Sequence, residues 1–295
     1  MAGQSFEEGL DSYHPNGFHP VHLGDIFHCR YKVLRKLGYG RYSTVLEPMG
    51  ETLASFGTLF PKGQVPSPII QRFTKQLLLA LDYAHRSGVI HTDIQPRNVM
   101  IQISDLSIIA SQPLRDFYIP ESSNLMDLDV ALCDWGAASW TDNHLTEVIQ
   151  PVLLRAPEVI LRAPWGAPVD IWNLGAVLLE VLDAVRMFDG RAAQTGGVYK
   201  TKHHLEEMVA LFGPFPSWLL AQGKKEVVDE FFDENGRIRD PIPRPEAMLE
   251  NWIESLAGDD KAEFIMFLKS MMKIDPRDRL MPKQLLDEPW LQHTS

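Results

Sequence analysis

His91-Thr92-Asp93-Ile94-Gln95-Pro96-Arg97-Asn98 lies between the apolar pair Val89-Ile90 and a second apolar stretch at residues 99–103. Pro96 removes a backbone donor and its ring collides with the preceding turn, so the octet is not helical. With β-prone residues on both sides it reads as a loop braced by short strands. Taken alone, it is a polar loop capped by an aspartate, and its meaning depends on what surrounds it.

Upstream, Pro68 sits in the first turn of a helix in which Ile70, Phe73, Leu77, Leu81 and Ala84 recur at spacings of three and four, and Gly88 ends it. Earlier still, residues 31–37 alternate apolar and polar and run into Gly38 and Gly40, as a strand entering a glycine turn does; a second short strand can include residues 42–45. Downstream, the apolar residues 130–133 lead into Asp134-Trp135-Gly136. Residues 170–182 are apolar on nearly every face, the mark of a helix buried inside a helical body. Further helices are expected at 261–272 and 282–286. Strands first and helices afterwards predict an α+β protein, with a small sheet and a larger helical lobe.

The 28 Lys and Arg against 39 Asp and Glu give a net charge of −11. That balance argues against direct binding to nucleic acid or an anionic membrane and suits a basic protein partner, although it also serves plain solubility. Cys29 and Cys133 are the two cysteines, with no C-x-x-C spacing, which points to a reducing compartment without structural zinc. Residues 1–10 carry Glu7 and Glu8 and no apolar core, unlike a signal peptide, and the apolar stretch around residues 175–179 is too short to span a bilayer. A monomer in the cytoplasm and nucleus is expected. His14, His19, His22 and His28 invite a metal reading, but no cysteine or H-x-x-x-H pair accompanies them, so they are read as part of an extended lead-in.

The order of the motifs turns weak signals into a strong one. Gly38-Tyr39-Gly40-Arg41-Tyr42-Ser43-Thr44-Val45 resembles the glycine-rich loop of protein kinases, with Ser43 at the third glycine's place. The octet above matches the kinase catalytic loop H-x-D-x-x-x-x-N, Asp134-Trp135-Gly136 matches the metal-binding D-F-G with Trp for Phe, and Ala156-Pro157-Glu158 closes an activation segment. The resemblance implies a bilobal kinase fold with ATP and Mg²⁺ as cofactors. In it Asp93 is the base that accepts a substrate hydroxyl proton, and Asn98 and Asp134 hold magnesium. Gly38, Gly40, Ser43 and Val45 line the nucleotide. It also implies that Glu158 pairs with Arg279 and that Asp170 anchors the catalytic-loop backbone.

Within that superfamily the chain is most similar to the SR-protein kinases, particularly fungal forms. The residues carrying this are Tyr13-His14, His19-Pro20-Val21-His22-Leu23-Gly24-Asp25, R-Y-K-V-L-R-K-L-G-Y-G-R-Y-S-T-V, Leu46-Glu47-Pro48-Met49-Gly50-Glu51, the H-T-D form of the loop, Ser139-Trp140 and Ile149-Gln150. The similarity implies phosphorylation of serine in arginine-serine-rich splicing factors, for which an acidic enzyme is suited.

The pattern breaks at one place. Kinases carry a third-strand lysine that holds the α- and β-phosphates and a glutamate on the next helix that holds the lysine. Here Val45 is followed at once by Leu46-Glu47-Pro48, which resembles the hinge between lobes. The missing elements amount to at least roughly 45 residues. Lys62, beyond the hinge, is poorly placed to substitute. Gln95 stands where the family has a lysine, and Arg97 where it has an acidic residue. The organisation read from the sequence is a lead-in over 1–30, a small-lobe remnant over 31–47 and a large lobe over 48–295 with an insert at 102–129. Three accounts stay open at this level: an active serine/threonine kinase, a noncatalytic pseudokinase or truncated isoform that binds proteins, and the product of an omitted exon.

Overall fold

The computed structural model describes residues 26–27, 31–32, 49–102, 125–191, 196–242 and 248–292. Gly38, Gly40, Ser43 and Val45, the lead-in histidines and most of the insert lie outside these. The chain forms two compact units, residues 1–50 with 103–112, and residues 51–102 with 113–295. In the first, strand β1 (Ile26–Phe27) pairs antiparallel with β2 (Tyr31–Lys32), with Ile26 opposite Lys32. The strand expected from Tyr31 therefore starts there. Its partner comes from the stretch read as lead-in.

The rest is strand-poor and helix-rich, as the order of patterns predicts. Strands β3 (Met49–Thr52), β5 (Val99–Gln102) and β6 (Val130–Leu132) make a sheet in the order β3-β5-β6. Strand β4 (Val89–Ile90) pairs antiparallel with β7 (Ser139–Trp140). The β5–β6 register places Val99 opposite Leu132 and Ile101 opposite Val130, and their side chains are buried on the face toward the helices. A short helix α1 (Leu53–Phe56) is capped by Thr52, whose hydroxyl accepts from the Ser55 amide.

Helix α2 (Ser67–Arg86) carries Pro68 in its first turn and stops just before Gly88, which takes φ +75°. Its buried stripe is the expected one, Ile70, Phe73, Leu77, Leu81 and Ala84, joined by Ile69 and Leu78. Burying each of the larger side chains contributes roughly 1.5–3 kcal/mol against the chain entropy lost. A four-residue helix, α3 (Pro157–Ile160), opens on the A-P-E proline. In helix α4 (Pro168–Asp183) every residue but Pro168 and Glu180 is buried. Its Gly175 meets Met272 so closely that an added Cβ falls 2.6 Å from the sulfur, which is why a side chain is missing there. Helix α5 (Thr201–Phe212) and helix α9 (Gly258–Met271) flank it, with α6 (Ser217–Gln222), α7 (Lys225–Phe231) and α8 (Leu249–Trp252) between them and α10 (Pro282–Leu285) and α11 (Pro289–Gln292) at the end. Trp172, Phe188, Phe264, Phe267 and Trp290 fill the space among these helices and are fully buried.

Candidate active site

The octet forms the expected loop between β4 and β5, and its backbone is held from below. Asp170, in the first turn of α4 and fully buried, accepts from the His91 amide at 2.8 Å and the Thr92 amide at 2.9 Å. It also contacts His85 Nε2 at 2.8 Å, from the last turn of α2. This is the anchoring that the resemblance implied. The grip lets Thr92 adopt φ +68°, a left-handed conformation that a β-branched residue takes only when its surroundings enforce it. The Thr92 hydroxyl then donates to the Ala137 carbonyl at 2.7 Å, tying the loop to the segment after Gly136.

His91 links the two motifs that carry acidic residues. Its Nδ1 accepts from the Asp93 amide at 3.2 Å, which leaves Nε2 to donate to the Cys133 carbonyl at 3.0 Å. One imidazole thus spans from the backbone of Asp93 to the residue before Asp134. Neither composition nor spacing revealed this link.

The Asp93 carboxylate is clasped from two sides. Gln95 Nε2 donates to Oδ1 at 3.0 Å and to Oδ2 at 3.1 Å, and Asn98 Nδ2 donates to Oδ2 and to the Asp93 carbonyl, both at 2.9 Å. Oδ2 carries two of these bonds and Oδ1 one, so Oδ1 keeps acceptor capacity for an incoming hydroxyl. Partial burial pushes the Asp93 carboxyl above its ordinary value, although the bonds from Gln95 and Asn98 pull it down. Asp134 adds a smaller upward push by like charge.

Asp134 itself takes φ +60° and ψ +63°, so the left-handed residue of this turn is the aspartate, not the glycine. Its carboxylate is exposed and accepts no hydrogen bond among the described residues. Asn98 spends its amide nitrogen on Asp93, and its Oδ1 accepts no hydrogen bond among the described residues. One carboxylate and one amide oxygen, with phosphate oxygens and waters, form the donor set that magnesium takes. Among the described residues no group of three His, Cys, Asp or Glu side chains could hold an ion alone, so the set suits a cation delivered with a phosphate ligand. Lys62 sits exposed on the turn Pro61–Gly63, at φ +58°.

The segment from Asp134 to Glu158 is pinned at its far end. Gln150 is buried at φ +68°; its amide nitrogen donates to the Val169 carbonyl and to Asn173 Oδ1, and its Oε1 accepts from the Ala156 amide. Glu158 and Arg279 form a two-pronged pair, both bonds at 2.7 Å and both side chains fully buried. The Arg279 guanidinium also donates to the carbonyls of Lys273 and Pro168.

A clasped aspartate on a loop between two strands, an exposed aspartate just past β6 and a segment braced at its far end are set in a lobe of mixed strand and helix. The protein kinase domain model matches residues 41–291, and the chain belongs to the protein kinase family. A serine/threonine protein kinase of Aspergillus fumigatus is 30% identical over 366 aligned positions, covering 97% of this chain and 90% of its own. An SRPK serine/threonine kinase of Physarum polycephalum is 23% identical, with 97% and 92% covered, and the protein kinase dsk1 of Schizosaccharomyces pombe is 22% identical, with 99% and 86% covered. The Aspergillus alignment spans 366 positions against 295 residues here, a difference of 71, so at least that many positions of the alignment have no residue in this chain.

Proposed function

We propose that this chain is an ATP- and Mg²⁺-dependent serine/threonine kinase of the SR-protein kinase type, acting on serine hydroxyls in arginine-serine-rich protein segments. The observation that carries the reading is the division of labour at the octet. Asp93 is clasped with Oδ1 still able to accept, while the Asp134 carboxylate and the amide oxygen of Asn98 accept no hydrogen bond among the described residues. Bound Mg·ATP supplies the transferable phosphoryl group and the cation charge that offsets it. Asp93 orients the serine hydroxyl through Oδ1 and takes its proton, and His91 keeps the Asp93 backbone and the Cys133 carbonyl in register. A net charge of −11 favours encounter with basic segments, and a cytoplasmic and nuclear location is proposed to accord with such partners.

A second reading is favoured by one observation: the chain lacks at least 71 of the positions aligned in its Aspergillus relative, and the sequence pattern locates the break after Val45, where the phosphate-holding lysine belongs. On this reading the large lobe binds basic segments without transferring phosphate. Incubation of the whole chain with Mg·ATP and an arginine-serine peptide separates the two. Phosphate incorporation well above that of Asp93→Ala supports the kinase; incorporation equal to that variant refutes it. Stabilisation by about 2.7 kcal/mol at a hundredfold excess of peptide over its dissociation constant, without any from Mg·ATP, supports the binder.

A further inference from the structure

We propose that Arg97 is a specificity-determining residue whose guanidinium, at the rim of the catalytic loop, selects acceptor serines with an anionic side chain, carboxylate or phosphate, one or two residues away. The inference rests on the proposed transfer to serine hydroxyls in basic segments and narrows it, since it says which serine of a segment is taken.

Within the octet the charged side chains are Asp93 and Arg97. They do not neutralise one another. Asp93 takes its side-chain bonds from neutral amides, those of Gln95 and Asn98, and Arg97 is exposed and makes no hydrogen bond or ion pair among the described residues. The backbone beneath Arg97 is nevertheless fixed. The Asn98 amide donates to the Gln95 carbonyl at 2.9 Å, closing a turn with Pro96 and Arg97 at its centre, and the Pro96 carbonyl accepts from the Ala54 amide of α1 at 3.1 Å. A cation carried on a rigid turn loses less freedom on meeting a ligand than one on a loose loop.

Both ends of that turn touch Asp93 through their side chains, so its tip stands beside the acceptor position. The Arg97 Cα lies one peptide unit, about 3.8 Å, from that of Asn98, and an extended substrate advances by only about 3.3 Å per residue. A serine whose hydroxyl meets Asp93 Oδ1 therefore has its near neighbours within the sweep of an arginine side chain. Electrostatics then sorts those neighbours. Arg97 repels an arginine there, whereas a carboxylate or phosphate receives two parallel N–H bonds from the planar guanidinium. The overall charge of −11 draws a basic segment as a whole; Arg97 acts at contact distance and decides which of its serines is seated.

Fluorescence anisotropy on the full chain, without nucleotide, tests this. The labelled peptides carry one acceptor serine in an arginine frame, with glutamine, glutamate or phosphoserine two residues before or two residues after it. In at least one placement the parent should bind the anionic peptides about 3- to 10-fold more tightly than the glutamine peptide, between the worth of an exposed ion pair and that of two charge-assisted bonds. Arg97→Glu should reverse the order and Arg97→Ala abolish it, both with an unchanged thermal midpoint, because the side chain has no partner in the described fold. Phosphoserine ahead of glutamate identifies phosphorylated segments as the source of the anion; glutamate equal or ahead identifies acidic ones. A parent indifferent to the anion, or a preference that survives Arg97→Glu, overturns the assignment. Phosphate incorporation from Mg·ATP tests the kinase reading separately: a chain that sorts the peptides but transfers nothing to them loses that reading and keeps the role of Arg97, whereas one that binds none of them loses both.

Discussion

Gln95 donates its one side-chain amide to both oxygens of Asp93, at 3.0 and 3.1 Å, from the position where protein kinases carry a lysine. A neutral fork orients the carboxylate as a cation would, but it adds no charge to offset a transferring phosphoryl group. Partial burial leaves Asp93 with a carboxyl pKa raised from the ordinary 3.8. Because a base works only when ionised, the acid limb of the rate-against-pH profile should lie above that value. Gln95→Ala removes a bond to the ionised form and should move the limb further up. Gln95→Lys should move it down and raise phosphate incorporation on the order of 10²-fold, the typical worth of one electrostatic stabiliser. The kcat/KM profiles of the three proteins check both directions; a limb that does not respond to position 95 contradicts the assignment of Asp93.

Asp170 supports the loop with two carboxylate oxygens that together receive two amides and face His85. Asp170→Asn replaces one acceptor by an NH₂ group that points at a donor. Each buried donor left unpaired costs about 1–3 kcal/mol. The variant should unfold at lower urea, with faster amide exchange at His91 and Thr92 than global destabilisation alone produces.

Glu158 and Arg279 share two hydrogen bonds with no solvent access to either side chain. Truncating one partner leaves a buried unpaired charge. Arg279→Met should therefore lower stability by about 3–5 kcal/mol in denaturant titration. Adding Glu158→Leu to it should restore much of the loss, because two apolar groups need no counter-charge. A double variant as unstable as the single one would show that the bonds from Arg279 to the Lys273 and Pro168 carbonyls dominate instead.

The helices were readable because burial imposes a period: the stripe from Ile70 to Ala84 and the mostly apolar run after Asp170 leave little choice of structure. The octet's loop followed from Pro96, and the Asp170 and Arg279 partnerships followed from resemblance. What could not be read depends on geometry between distant segments. Gln95 stood out in the sequence as a charge lost, whereas in space it is a bond gained to Asp93. The bridge through His91 joins residues just past the ends of two strands, β4 and β6, and leaves no local periodicity. Trp135 did carry a signal: a tryptophan in a phenylalanine position brings a donor, and a donor calls for an acceptor, here the Leu132 carbonyl at 2.9 Å. Strand β1 escaped notice because two paired residues are too few to alternate visibly.

His204 is the buried group whose ionisation should be felt in acid. It lies on α5 against Phe188, with ring centroids 4.8 Å apart, and its Nδ1 meets the Tyr199 hydroxyl at 3.2 Å. Its Nε2 is buried and has no hydrogen-bond partner among the described residues. Burial, and then the nearby Arg155, lower its pKa from 6.5 to about 3. The imidazole is therefore neutral in the folded protein throughout the range in which the unfolded chain takes up a proton. A depressed folded pKa means that stability is complete above about 6.5 and declines as pH falls toward 3. The full effect is on the order of a few kcal/mol, since each pKa unit corresponds to about 1.4 kcal/mol. Urea titrations from pH 7 to pH 4 should show a stability loss that His204→Gln reduces, because glutamine has no proton to gain. The variant should also be less stable than the parent at pH 7, where it gives up the ring contact with Phe188. Parallel pH curves for the two proteins would assign the acid sensitivity to other groups.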